Sequence, residues 1–134
     1  MTETLPEGMF RYSSVCNFTD TILHLKNALL SEGFRLFATY DHSQAAKEVG
    51  LKLSPNVVLV FGNPLVGTEF MMESATLAID LPSKLLIREN SDKTVDVFFH
   101  CLSHLCQYHK LSSLMSKASA FDERIIALIQ YCIN

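Results

Sequence analysis

What this chain lacks narrows it before anything it contains. Its longest clearly apolar runs are about five residues, against the roughly 20 needed to span a bilayer. No transmembrane helix is expected, and no membrane partner. Met1–Glu7 has neither a basic region nor an apolar one, so no secretory leader is expected and the cytoplasm is the expected compartment. The 11 Lys and Arg are scattered, and net charge is -3. Non-specific nucleic-acid affinity comes from clustered cations, so no nucleic-acid partner is expected. The four cysteines, Cys16, Cys101, Cys106 and Cys132, include no C-x-x-C pair. In a reducing compartment they read as free, mostly buried thiols. No G-x-x-x-x-G-K-[ST] or G-x-G-x-x-G stretch occurs, which removes the nucleotide-binding loops. Neither a Gly-x-Ser-x-Gly elbow nor a paired-carboxylate or Ser-His-Asp arrangement stands out. No catalytic residue is assigned, and no cofactor is expected.

What is present is enough for a core. With 134 residues, 49% hydrophobic and 19% charged, the chain fits one domain over 1–134. Residues 1–8 read as a tail. Met9–Cys16 has strand character. Phe18, Ile22, Leu25 and Leu29 share one helical face, closed by Gly33. Phe34, Leu36, Ala38 and Tyr40 alternate with polar residues as a half-buried strand, with Phe37 as the apolar exception. A short helix follows, capped by Asp41 and stopped at Gly50. Val57–Phe61 reads as a strand. Asn63 and Pro64 then suit the cap and first position of a helix over Leu65–Glu73. Asp80-Leu81-Pro82 breaks the pattern. Lys84–Glu89 and Thr94–His100 form a hairpin about a four-residue turn. Residues 101–134 are a helical C-terminal segment. Ile125, Leu128, Ile129 and Cys132 form its stripe, with Asp122 and Glu123 in a first turn. Strands without uniform alternation, plus a hairpin, predict an α+β fold with a mainly antiparallel sheet and helices on one face.

An ordered series of short pieces then points to a family. These are Gly33-Phe34, Asp41-His42, Ala45-Ala46, Gly50-Leu51, Phe61-Gly62-Asn63-Pro64, Gly67-Thr68, Met72 and Asp80-Leu81-Pro82. In that order they resemble the domain-of-unknown-function 302 family over Gly33 to about Phe98. The resemblance implies a single copy of the TATA-box-binding-protein-like fold: a curved, mainly antiparallel sheet of about five strands carrying helices on one side. It also implies a homodimer. It implies no chemistry, because one fold hosts unrelated functions. The chain departs from the family pattern at His100-Cys101-Leu102-Ser103-His104, where a polar, Pro-containing turn is usual.

The candidate site follows from the turns. A helix start at Gly62–Thr68 offers free N–H groups and a positive dipole end, and turn chemistry alone also explains Gly62, Asn63 and Pro64. Asn63 and Thr68 are therefore candidate ligand contacts. Asp41 and His42, at a strand end, are candidates for a carboxylate-oriented imidazole. Asp80 and Lys84, four residues apart, are candidates for a charged pair or for polar specificity groups in the same groove. The expected function is a non-enzymatic binding or interaction module with a small-molecule or peptide pocket near Phe61–Pro64. The alternative is a metal- or haem-linked protein using His100 and His104. At ~100° per helical residue, Cys106 and His109 point away from those two, so no single helix aims all five His and Cys of this stretch at one ion. Phe37 and Phe98 lie opposite the regular apolar set of their strands, where exposure would mark a partner or ligand surface.

Overall fold

The computed structural model describes residues 3–134; Met1 and Thr2, the first two residues of the expected tail, lie outside the described residues. Five strands form one wholly antiparallel sheet in the order β1-β5-β4-β3-β2. They are β1 (Met9–Ser14), β2 (Arg35–Asp41), β3 (Asn56–Gly62), β4 (Ser83–Glu89) and β5 (Val95–His100). The helices are α1 (Phe18–Ser31), α2 (His42–Glu48), α3 (Pro64–Glu73), α4 (Leu102–Tyr108) and α5 (Met115–Ile133), and a 3₁₀ segment spans Ala75–Asp80. The expected α+β class, hairpin and element order are all present.

Local chemistry sets the boundaries. Asn17 caps α1 by accepting from the Asp20 N–H at 2.8 Å. The helix closes at Gly33, whose φ of 86° only glycine adopts freely. There the Phe34 N–H reaches the Leu29 carbonyl and the Gly33 N–H the Leu30 carbonyl, satisfying two terminal acceptors. Leu25 and Leu29 of α1 and Ile125 and Ile129 of α5 pack on Leu59, Phe61, Leu85, Ile87, Val97 and Phe99 of the sheet. These strand residues alternate, so one sheet face is the core and the other is open.

The open face differs from the sequence expectation in two places. Pairing slips between Leu36 and Ala38, so Phe37 is the extra residue of a bulge. An extra residue inverts the alternation beyond it. Leu36 therefore faces the core opposite Phe61, while Ala38 and Tyr40 sit opposite Val60 and Val58 on the open face. Phe98 also lies on the open face yet is 4% exposed. The Arg88 guanidinium covers its ring at 4.8 Å and is itself held by Glu3 at 3.1 Å and Asp96 at 3.5 Å. Phe37, in contrast, is 42% exposed.

The C-terminal segment is two helices. α5 begins at Met115, so Asp122 lies well inside it and not in a first turn. Its buried carboxylate instead accepts from the Leu102 N–H at 2.6 Å and the Ser103 N–H at 3.0 Å, capping α4 from the neighbouring helix. This is how the His100–His104 corner closes without a Pro-containing turn. Among the described residues, no helix is long and apolar enough to cross a membrane.

Candidate functional site

β3 leaves the sheet at Gly62, and α3 starts two residues later under an Asn63 cap, with the side-chain oxygen accepting from the Leu65 N–H at 3.0 Å. Beside this turn lies a cavity of about 250 Å³. α3 contributes Val66, Gly67, Phe70 and Met71, the spacing of one helical face. Gly62, Asn63, Phe37, Pro82 and Phe121 close other sides. The Phe37 ring packs over Gly62, 3.5 Å from where its Cβ would stand. The lining is almost wholly apolar. Its polar residues are Asn63, whose side chain serves as the α3 cap, and Ser83, which is 9% exposed.

The structure gathers some of the expected site residues here and disperses others. Asn63 forms part of the wall. Lys84 is exposed and outside the lining, and donates to the carbonyl of the wall residue Pro82 at 2.9 Å. Thr68 is on α3 but exposed and outside the lining. Asp80 does not pair with Lys84: it holds His109 Nε2 at 2.5 Å, and Thr76 holds the other ring nitrogen at 2.9 Å. That chain ties the 3₁₀ segment to the end of α4. Asp41 and His42 are remote. Asp41 pairs with Val57 while Gly62 pairs with Arg35, so five residues of strand, roughly 16 Å at ~3.3 Å each, separate them from the turn. Asp41 accepts from Ser43 Oγ at 2.6 Å and from the Gln44 N–H at 2.9 Å. The serine hydroxyl first, and the backbone N–H second, hold its carboxyl below the usual range. His42 is exposed.

His100 and His104 do meet, Nε2 to Nδ1 at 3.0 Å. Burial first, and the facing His104 second, lower the His100 pKa. Cys101 adds no thiolate, because burial and the Asp122 charge push its thiol up to about 11. Among the described residues, no third His, Cys, Asp or Glu completes a metal-holding group. Sequence reasoning found the turn and Asn63. It missed Ser83, whose only signal is a polar residue opening an apolar strand, and Phe121, which the fold brings from 60 positions away (121 against 61).

Fold and cavity together define a class: a single antiparallel sheet, helices on one face, and an apolar cavity where one strand turns into a helix. The chain belongs to DUF302, a domain of unknown function, whose profile matches residues 10–131. Its structure is similar to that of an uncharacterised conserved DUF302 protein from Bacillus stearothermophilus, with a TM-score of 0.86 and 21% identity over 95% of this chain and 99% of that one. It is also 32% identical over 111 residues to fluoride-specific ion channel FluC 1 of Brucella suis, covering 83% of this chain and 44% of that protein. FluC 1 of Brucella abortus gives the same identity over 41% of its length. The chain thus spans less than half the length of these curated relatives.

Proposed function

We propose that this chain is a binding module and not an enzyme, working in the cytoplasm as a homodimer, whose cavity beside the Phe61–Pro64 turn takes a small apolar molecule. The cavity carries the reading. Apolar cavities of about 150 Å³ stay dry and admit benzene, and about 250 Å³ leaves room for roughly ten non-hydrogen atoms on the same scale. Ser83 adds one hydrogen-bonding group inside an otherwise apolar space, the usual balance of a small-molecule site. Exposed Tyr40 on the open sheet face, opposite Val58 and away from the Gly62 turn, supports pairing with a second copy. The channel name of the Brucella relatives belongs to those longer proteins. What this chain would share with them is the module.

Thermal shift with benzene and with indole tests the cavity, using Gly67→Leu to fill it. A Cβ at Gly67 would meet only the Met71 Cε, at 3.9 Å, so the larger side chain has space to enter. A rise in Tm with either probe that Gly67→Leu abolishes supports the reading. No shift with any apolar probe refutes it. Sedimentation equilibrium of the wild type and of Tyr40→Lys tests the dimer, and a wild-type monomer at high micromolar concentration refutes that part. The 3.0 Å His100–His104 contact supports a second reading, a metal or haem iron completed by another copy. Metal analysis and an absorption spectrum decide it: stoichiometric metal or a Soret band lost in His104→Ala would favour it.

A further inference from the structure

Two cations stand outside the lining of this cavity but next to its walls. Arg35 pairs with Gly62, and Lys84 pairs with Val60, two residues along the same strand. Directly paired residues share a face, so Arg35, Gly62 and Lys84 all belong to the open face. Gly62 has no side chain, and the space between the two cations is left to the Phe37 ring and Pro82, both walls of the cavity. The Arg35 guanidinium lies 5.7 Å above the Phe37 ring. Lys84 Nζ is drawn to the Pro82 carbonyl at 2.9 Å. Each cation is therefore already anchored to a wall residue. Both are exposed, and neither has a carboxylate partner among the described residues. Lys26, Lys47, Lys52 and Lys110 share that lack of a carboxylate partner, but only Arg35 and Lys84 contact a wall residue of the cavity.

We propose that the ligand is an amphipathic carboxylate: an apolar tail fills the cavity, and its anionic end stays at the mouth between Arg35 and Lys84. This rests on the binding-module reading and specifies its ligand. The division follows from solvation. An anion inside the apolar lining would lose its hydration without a partner, whereas at the mouth it keeps water and gains two charge-assisted donors. The tail has room for roughly ten non-hydrogen atoms, scaled from benzene in about 150 Å³. A fused aromatic bicycle meets that limit, and a ring N–H on it would find the Ser83 hydroxyl as acceptor. A fully polar metabolite is disfavoured by the lining.

Calorimetric titration with indole-3-acetate and its near-isosteric neutral counterpart, indole-3-acetamide, tests this on the full chain. Two exposed ion pairs give the acetate an advantage of at most about tenfold in Kd at low salt, and that advantage shrinks as salt rises. Arg35→Gln with Lys84→Gln abolishes the advantage, so that acetate and acetamide bind the double variant equally, and a retained thermal shift with indole shows that this variant is folded. Equal or tighter binding of the acetamide by the wild type overturns the proposal, as does an acetate preference that survives in the double variant. Each of those outcomes leaves the cavity reading intact. If neither compound binds while indole alone also gives no thermal shift, the binding-module reading itself falls. If indole binds and neither derivative does, the mouth does not accept a head group and only the present proposal falls.

Discussion

At the scale of single residues, the N-terminal approach to β1 is the most tightly specified point. Gly8 has a φ of 79°, and a Cβ there would lie 2.2 Å from His104 Cγ. Gly8→Ala therefore meets both a backbone penalty of about 1 kcal/mol and a steric one, and is expected to cost about 2 kcal/mol or more in urea unfolding. Truncating the opposing ring separates the two: Gly8→Ala with His104→Ala is expected to cost less than the two single changes summed. An additive pair would mean that the clash is relieved elsewhere. The same ring supports a pH prediction. In the His100–His104 hydrogen bond at 3.0 Å one imidazole must donate and the other accept, so two protonated rings lose it. Burial first, then His104, lowers the His100 pKa from its ordinary 6.5; Lys84 acts the same way, while Asp80 and Asp122 oppose it. A depressed histidine pKa means the unfolded chain takes up a proton before the folded one does. Stability from this site is then complete above about pH 6.5 and is lost as pH falls from there through the folded-state value. His100→Gln is expected to flatten the fall of Tm between about pH 7 and pH 5. An unchanged slope would assign the acid sensitivity to other groups.

Between elements, what could be read from the sequence was local, and what could not was contributed by a neighbour. Asn63 and Asp41 cap α3 and α2 as their positions suggest, because capping needs only residues two or three apart. Asp122 looked like a first-turn acid of its own helix and instead serves α4, 20 positions earlier. Periodicity cannot show a cap supplied by another helix. Removing it exposes the difference. Asp122→Ala leaves two N–H groups at the start of α4 without their acceptor, one of them buried, and is expected to cost about 3 kcal/mol. Asp122→Asn, which keeps one acceptor oxygen, is expected to cost clearly less in the same denaturant titration. Similar losses in the two variants would show that the packing of the side chain, not the cap, matters there. The bulge at Phe37 is a second case: one extra residue inverted the reading of Ala38 and Tyr40 while leaving the strand itself recognisable. It is also what places Phe37 beside Gly62, so the feature that defeated the alternation is the one that shapes the cavity wall.

For the whole molecule, the sheet order decides how the pieces cohere. β1 pairs with β5 and not with β2, so the first strand is fixed by one laid down some 85 residues later (95 against 9, with Met9 opposite His100). No local pattern announces that pairing, although the strand count and hairpin were legible. The apolar side chains fall into two clusters, one between α1, α5 and the sheet, the other around α3, the 3₁₀ segment and α4. Phe121 packs against both. Its ring sits 6.0 Å from Phe34, 6.4 Å from Phe61 and 6.5 Å from Phe99, and it also lines the cavity. Two clusters sharing one aromatic bridge are expected to melt together, giving one calorimetric transition whose van't Hoff and calorimetric enthalpies agree. Phe121→Ala is expected to cost about 3 kcal/mol, in the range of large-to-small core changes reduced for its partial exposure. If the bridge is what couples the clusters, the variant also broadens the transition or splits it in two, the cavity-side cluster melting first. A variant that merely shifts Tm with unchanged sharpness would place the coupling elsewhere, in the continuous run of α5 from Ala118 to Ile133 that contributes to both clusters.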